Sequence, residues 1–271
     1  MSTPFDPADP AHIALWDELP MWSALAGQLL LEHVPLDAAR ILDVGSGTGF
    51  PGLEMAERAG PAALVVGVDP WREAAERAQA KARTWPVPNF FAVRADGARL
   101  PLRSGCIDLV VSNLGVNNFA DPAAAFAEVR RVLAPRGRLA IATNLVGHFR
   151  ELYAVLGELL GREGDAVALE RLRVHVRHRA TIAGLTEVLA GQGLRVIATH
   201  EHEASWRFRD GTALFAHHFI RLGFLEGWRG VAGDRADVLL DELRATLDAR
   251  ARTSGELRLA VPLAVLVAQP A

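Results

Sequence analysis

Cysteine is almost missing from this 271-residue chain: Cys106 stands alone. An internal disulfide is therefore impossible, and so is a metal site built from several thiolates. Lysine is equally scarce. Lys81 is the only one, every other basic residue being arginine, so a Schiff-base lysine could only be Lys81, in what reads as an amphipathic surface helix. A phosphate-binding loop ending in Gly-Lys-Ser/Thr is absent, which excludes the common nucleotide triphosphatase architecture. No apolar run approaches the ~18 residues of a spanning helix. The nearest, Leu259 to Ala268, is cut by Pro262 and suits a buried strand. The first ten residues show neither a basic nor an apolar leader region, so the expectation is a cytoplasmic protein. Twenty-nine basic residues against 32 acidic ones give a net charge of -3. That balance offers no general attraction to nucleic acid or anionic lipid.

What is present is an ordinary globular composition, half hydrophobic and 23% charged, which excludes disorder as the general state. The length suits one α/β core with insertions. Ile13 to Val34 carries apolar residues at helical spacing and breaks at Pro20, predicting two short helices. Then short apolar runs alternate with helical segments. Strands are expected at 40–45, 64–69, 89–94, 106–112 and 137–143, and helices at 51–59, 72–83 and 121–133. Continuous apolar strands in such alternation indicate a parallel sheet covered on both faces. Past residue 144 helices are expected at 149–160 and 184–190, a strand opening at 194–198, helices over 211–250, and a last strand at 257–267. The alternation Arg171-Leu-Arg-Val-His-Val-Arg177 reads as a half-buried edge strand with one basic face, or as a strip for an acidic substrate. The domain reading is a helical cap at 1–35 and a main domain at 36–271, with insertions at about 145–180 and 204–255.

The strongest feature is Asp43-Val-Gly-Ser-Gly-Thr-Gly49, directly after a strand and before a helix. Glycines there let the chain turn sharply and a ligand approach the backbone. The third glycine falls one residue too early for the dinucleotide fingerprint, with Phe50 in its place. Asp43 at the strand end would repel a pyrophosphate and favour a cationic group.

The segment Leu42-Asp-Val-Gly-Ser-Gly-Thr-Gly49 resembles the first motif of class I S-adenosylmethionine-dependent methyltransferases, and further markers follow in order. The resemblance covers roughly residues 36 to 145 and looks nearest to the small-molecule branch of ubiquinone/menaquinone and biotin-precursor methyltransferases. It implies a Rossmann-like, doubly wound, mostly parallel seven-stranded sheet with helical insertions capping its carboxyl end. It also implies a donor site. Gly45, Ser46, Gly47 and Gly49 would cradle the methionine end and Asp43 would face its positive charge. Asp69, with Pro70, would bind the ribose hydroxyls. Asp96-Gly97 would lie near the adenine amino group, and Ser112-Asn113 would line the methyl donor. The implied cofactor is S-adenosylmethionine, the product S-adenosylhomocysteine, and no metal.

The acceptor is read by elimination. The Asp/Asn-Pro-Pro-aromatic motif is absent, one lysine disfavours a ribose-methylating Lys-Asp-Lys-Glu set, and one cysteine excludes arsenite chemistry. Small organic molecules remain, with no membrane insertion and no nucleic-acid reader motif. Asn117 and Asn118 could orient a polar group or simply form a turn. His148 is a candidate base or a surface histidine at a helix start. His217 could enter the cleft or pack with His218. Tyr153 could bond a substrate or serve as packing, and Trp22, with Trp16, Trp206, Phe215 and Trp228, could line an aromatic pocket. His200-Glu-His202 has strand spacing but no third metal ligand. Two rivals stay open: a non-catalytic binder of the cofactor or its product, and an RNA methyltransferase using the arginine strip.

Overall fold

The computed structural model describes residues 6–17 and 21–271. The chain forms two units: a sheet unit of Asp6–Asn144, Ala180–His202 and Leu263–Ala271, and a helical unit of Leu145–Arg179 and Glu203–Pro262.

The sheet unit opens with α1 (Pro10–Asp17) and α2 (Met21–Glu32), the two expected helices; the expected break at Pro20 lies outside the described residues. Next come β1 (Arg40–Val44), α3 (Gly52–Ala59), β2 (Leu64–Asp69), α4 (Arg72–Thr84), β3 (Phe90–Arg94) and β4 (Ile107–Asn113). A 3₁₀ turn (Gly115–Asn118), α5 (Pro122–Val132) and β5 (Leu133–Asn144) complete the alternation. The helical unit carries α6 (Arg150–Glu163) and α7 (Ala166–Arg177); α8 (Ile182–Gly191) returns to the sheet unit. After β6 (Leu194–Phe208) come α9 (Gly211–Ala216), α10 (His218–Gly223), α11 (Leu225–Ala232), α12 (Ala236–Ser254) and β7 (Leu257–Pro270).

Seven strands form one sheet in the order β3-β2-β1-β4-β5-β7-β6. β1 to β5 pair in parallel, and β7 runs antiparallel to β5, with Leu139 opposite Ala268 and Asn144 opposite Leu263. Consecutive residues are buried along the middle strands: Leu109, Val110 and Val111 at 0%, as are Ile41 and Leu42. A strand whose alternate side chains are both buried must be covered on both faces. Each such aliphatic side chain contributes about 1.5–3 kcal/mol, so the central strands hold the core and fix the loops at their carboxyl ends.

Local chemistry sets the ends. Asp121 accepts a bond from the Ala124 N–H at 2.9 Å with Pro122 behind it, so α5 starts there. β5 starts four residues earlier than its apolar run suggested, because Leu133 pairs with Ile107 before a register shift toward Leu109.

One expectation is overturned. Residues 171–177 are not a strand but the end of α7. Asp165 caps that helix through the Ala168 N–H at 2.8 Å, and the buried Ala168 and Leu172 sit four apart, on one helical face. The basic strip dissolves with the strand. Arg171 donates to the Val231 carbonyl, Arg173 pairs with Glu170, and Arg177 is exposed elsewhere on the helix. The segment around His217-His218 is likewise two helices, with His217 at the break between α9 and α10.

Candidate active site at the carboxyl ends of β1, β2 and β4

The loop after β1 turns through three glycines in the left-handed range: Gly45 (φ 76), Gly47 (φ 50) and Gly49 (φ 107). Gly45 and Ser46 donate to the Val68 carbonyl at 2.8 and 3.1 Å, tying the loop to β2. A Cβ at Gly45 would come within 2.9 Å of the Gly115 Cα, and one at Gly115 within 2.8 Å of the Val44 carbonyl. The loops after β1 and β4 therefore touch backbone to backbone. Leu114, which starts the second loop, holds φ 60 although it is leucine. Such conformations cost of order 1–3 kcal/mol and gather at functional sites.

Asp69 closes β2. It is 6% exposed and accepts from the Gly47 N–H at 2.8 Å and the Trp71 N–H at 2.9 Å. Each carboxylate oxygen keeps a further lone pair for a diol. Burial raises its pKa and those two bonds pull it back. Asp43 is fully buried. One oxygen accepts from the Gly52 N–H at 3.0 Å, at the start of α3, and its Oδ1 has no partner among the described residues. Burial, with a smaller push from Asp69, raises its pKa to about 7.

The other sequence-predicted residues take distinct places. Ser46 is buried with an Oγ that no described group bonds. Ser112 spends its hydroxyl on the Val44 carbonyl at 2.8 Å, bracing the loop. Asn113 donates to the Ser23 carbonyl at 3.0 Å, reaching α2, and leaves its Oδ1 without a described donor. Pro70 is exposed, its carbonyl accepting from Arg94. Asp96 is exposed and accepts from the Ala98 N–H at 2.9 Å, the turn-forming arrangement. Gly97 keeps the chain against Val44: a Cβ there would lie 3.1 Å from Val44 Cγ1 and 3.8 Å from the Phe119 ring. Asn117 is exposed but knotted to the end of β5, donating to Asn144 at 2.8 Å and accepting from Thr143 at 2.5 Å. Asn118 is exposed at the end of the 3₁₀ turn, and Trp22 lies half-buried on α2.

Sequence reasoning missed Asp17 and the placement of Trp16, which it offered only for an aromatic pocket, and of Phe119. Asp17, at the end of α1, meets Arg77 and Lys81 of α4 at 2.5 and 2.6 Å and also bonds Thr48 of the glycine loop. Trp16 sits edge-on to Trp71, two residues beyond Asp69, at 6.5 Å. Phe119 lies beside Gly45 and Gly97. No local motif marks Asp17 or Trp16, whose partners lie some 60 residues away. Phe119 had a weak signal, as the aromatic that closes the loop after β4.

The remaining candidates belong to the helical unit. His148 is 1% exposed, so it is not the surface histidine that was one alternative. Its ring stacks on Phe149 at 3.8 Å, and burial, then the charge of Arg179, holds its pKa well below 6.5. His217 stacks with His218 and lies 5.7 Å from Trp206, with its pKa lowered mainly by burial. Tyr153 is buried and takes a bond from Trp228 Nε1 at 3.2 Å. Among the described residues no group of three His, Cys, Asp or Glu could hold a metal ion, and no helix is long and apolar enough to cross a membrane.

In the sheet unit, acceptor atoms without described donors surround a glycine loop: Asp43 Oδ1, Ser46 Oγ and Asn113 Oδ1. That set suits a ligand bearing ammonium and hydroxyl donors and disfavours a phosphate, so the residues fit a nucleoside with a cationic amino-acid arm. The site lies at the switch of strand order between β1 and β4, where doubly wound α/β sheets bind their ligands. Residues 42–141 match the methyltransferase domain family.

Among curated proteins, the chain is 43% identical over 122 residues to the demethylmenaquinone methyltransferase of Thermus thermophilus, covering 44% of this chain and 52% of that one. It is 43% identical over 120 residues to the malonyl-[acyl-carrier protein] O-methyltransferase of Geobacter sulfurreducens, covering 44% and 43%. The chain thus spans about half the length, or less, of the curated relatives it matches. Among solved structures, the YcgJ protein from Bacillus subtilis superposes with TM-score 0.58 at 18% identity, over 92% of this chain and 98% of that one. A SAM-dependent methyltransferase from Aquifex aeolicus gives 0.55 at 19%, over 70% and 91%. These two establish a shared fold.

Proposed function

We propose that the chain transfers the methyl group of S-adenosylmethionine to a small organic acceptor. The observation that carries this reading is the loop of unpartnered buried acceptors around Gly45–Gly49, flanked by Asp69 with one lone pair free on each oxygen. Gly45, Gly47 and Gly49 admit the amino-acid arm to the backbone, and Asp43 places a negative charge behind the loop. Asp69 takes the ribose hydroxyls. Gly97 and Phe119 would border the base, with Asp96 toward the exocyclic amine. Ser112 and Asn113 border the methyl end.

Bound S-adenosylmethionine supplies an electrophilic methyl group, and in-line displacement leaves its sulfur as a neutral thioether. The chain's part is to orient the donor, to exclude water and to hold the acceptor in line. A base is needed only where the acceptor must lose a proton. His148 and His217, the two candidate bases, are neutral near pH 7 by the direction of their shifts. The relatives' names carry the small-molecule assignment: one is called a demethylmenaquinone and another a malonyl-[acyl-carrier protein] methyltransferase.

Calorimetry with S-adenosylmethionine and S-adenosylhomocysteine tests the donor site. Micromolar binding that Asp69→Ala abolishes in a folded protein is the expected result. Absence of binding by the folded wild-type chain would sink the reading, and binding without turnover on any acceptor would leave a cofactor-holding protein.

A further inference from the structure

Several exposed guanidinium groups of this chain meet carboxylates: Arg40 with Asp108, Arg150 with Glu203, Arg250 with Glu158. Arg179, which is largely buried in the helical unit, pairs with no carboxylate among the described residues. Its described neighbours are the Tyr153 hydroxyl, to which it donates, and the face of Phe224, 5.8 Å from its Cζ. Stability alone would select the reverse, because a buried charge needs a partner far more than an exposed one.

The surroundings deepen the imbalance. Tyr153 accepts from Trp228 at 3.2 Å and from Arg179, so its own hydrogen goes to His175 Nε2 at 3.0 Å. His178 turns its Nδ1 to the His175 carbonyl. His148 stacks on Phe149 and lies 5.4 Å from Phe224. All three imidazoles are pushed toward neutrality by burial and by Arg179, His175 to about 4. The cluster thus holds one fixed positive charge, several donors, three aromatic rings and no negative group that the structure describes. His178 is exposed and Arg179 keeps a partly exposed side chain, which leaves a way in.

We propose that Arg179, braced by Tyr153 and floored by Phe224, is a binding site for the carboxylate of an organic acid with a flat apolar body. The planar fork of a guanidinium matches a carboxylate by two parallel bonds. A single negative charge balances the single positive one, whereas a phosphate dianion would exceed it. The Phe224 ring against the guanidinium suits a flat apolar body beside the acid. The inference stands on the helical unit alone and does not depend on the proposed methyl transfer.

Benzoate, benzamide and inorganic phosphate serve as probes on the full chain, read by tryptophan fluorescence and by the proton NMR titration of the histidines. Benzoate is expected to bind at least tenfold more tightly than its neutral isostere benzamide, and Arg179→Gln to weaken benzoate at least tenfold. Arg179→Lys, which keeps the charge and loses the fork, should weaken it several-fold. Bound benzoate should also raise the titration midpoints of His148, His175 and His178, since it cancels the charge that depresses them. Equal binding of benzoate and benzamide by the wild-type chain would overturn the proposal without recourse to any variant. So would phosphate binding in preference to benzoate, or undiminished benzoate binding by folded Arg179→Gln.

Discussion

Asp43 occupies a position where its charge is costly to the free protein and useful to a cation. Burial raises its pKa to about 7. A raised folded-state pKa stabilises the free chain fully below the unfolded value near 3.9. That contribution is lost as the pH climbs through about 7. A positively charged ligand reverses the preference and favours the ionised form. Affinity for S-adenosylmethionine should therefore rise from pH 5.5 to about 7 and then level off, with Asp69, also raised, acting in the same direction. Binding at pH 6 should release protons, seen as a calorimetric enthalpy that depends on the buffer's ionisation enthalpy. Asp43→Asn should flatten the profile; an unchanged profile would separate Asp43 from the donor site. The glycines make a second residue-scale test. Gly47 and Gly45 both hold positive φ, but a Cβ has open space at Gly47 and meets the Gly115 backbone at Gly45. Gly47→Ala should cost about 1–2 kcal/mol in urea unfolding, the price of the left-handed backbone. Gly45→Ala should lose clearly more, because two loops must move apart.

Elements whose signals are local were legible, and elements fixed by distant contacts were not. The turn after β1 announces itself through three glycines and an acid within seven residues, and α5 through Asp121-Pro122. The cap predicts that Asp121→Ala lowers stability by about 1 kcal/mol, measurable as a shift in the urea midpoint at constant slope. α7 misled because seven of its residues alternate, and an alternating window contains part of a helical period as well. Asp165, three residues before the Ala168 N–H that it caps, and the Ala168–Leu172 spacing were the signals that outweigh the alternation. The tie of α1 to the glycine loop was illegible for another reason. Asp17 reaches Arg77 and Lys81 across some 60 residues, and nothing in its own neighbourhood marks it. Likewise, that Arg179 meets no carboxylate among the described residues can be seen only once the chain is folded.

At the scale of the whole molecule the question is whether the two units open together. Two strands run through both: β6 crosses the division after His202 and β7 crosses it after Pro262. A strand cannot keep its ladder in one half while the other half unravels without exposing unpaired backbone, which favours a single cooperative opening. A ligand that binds only the folded chain stabilises it by RT ln(1 + [L]/Kd), about 2.7 kcal/mol at a hundredfold excess over Kd. Amides that exchange only through global unfolding should then slow by about a hundredfold. With S-adenosylmethionine bound in the sheet unit, this slowing should reach the best-protected amides of α6 and α12 as well as those of β1 and β4. Hydrogen exchange followed by mass spectrometry of peptides resolves the two sets. Slowing confined to the sheet-unit peptides, with α12 exchanging at its unliganded rate, would show that the helical unit opens by itself. The shared strands would then divide near His202 and Pro262.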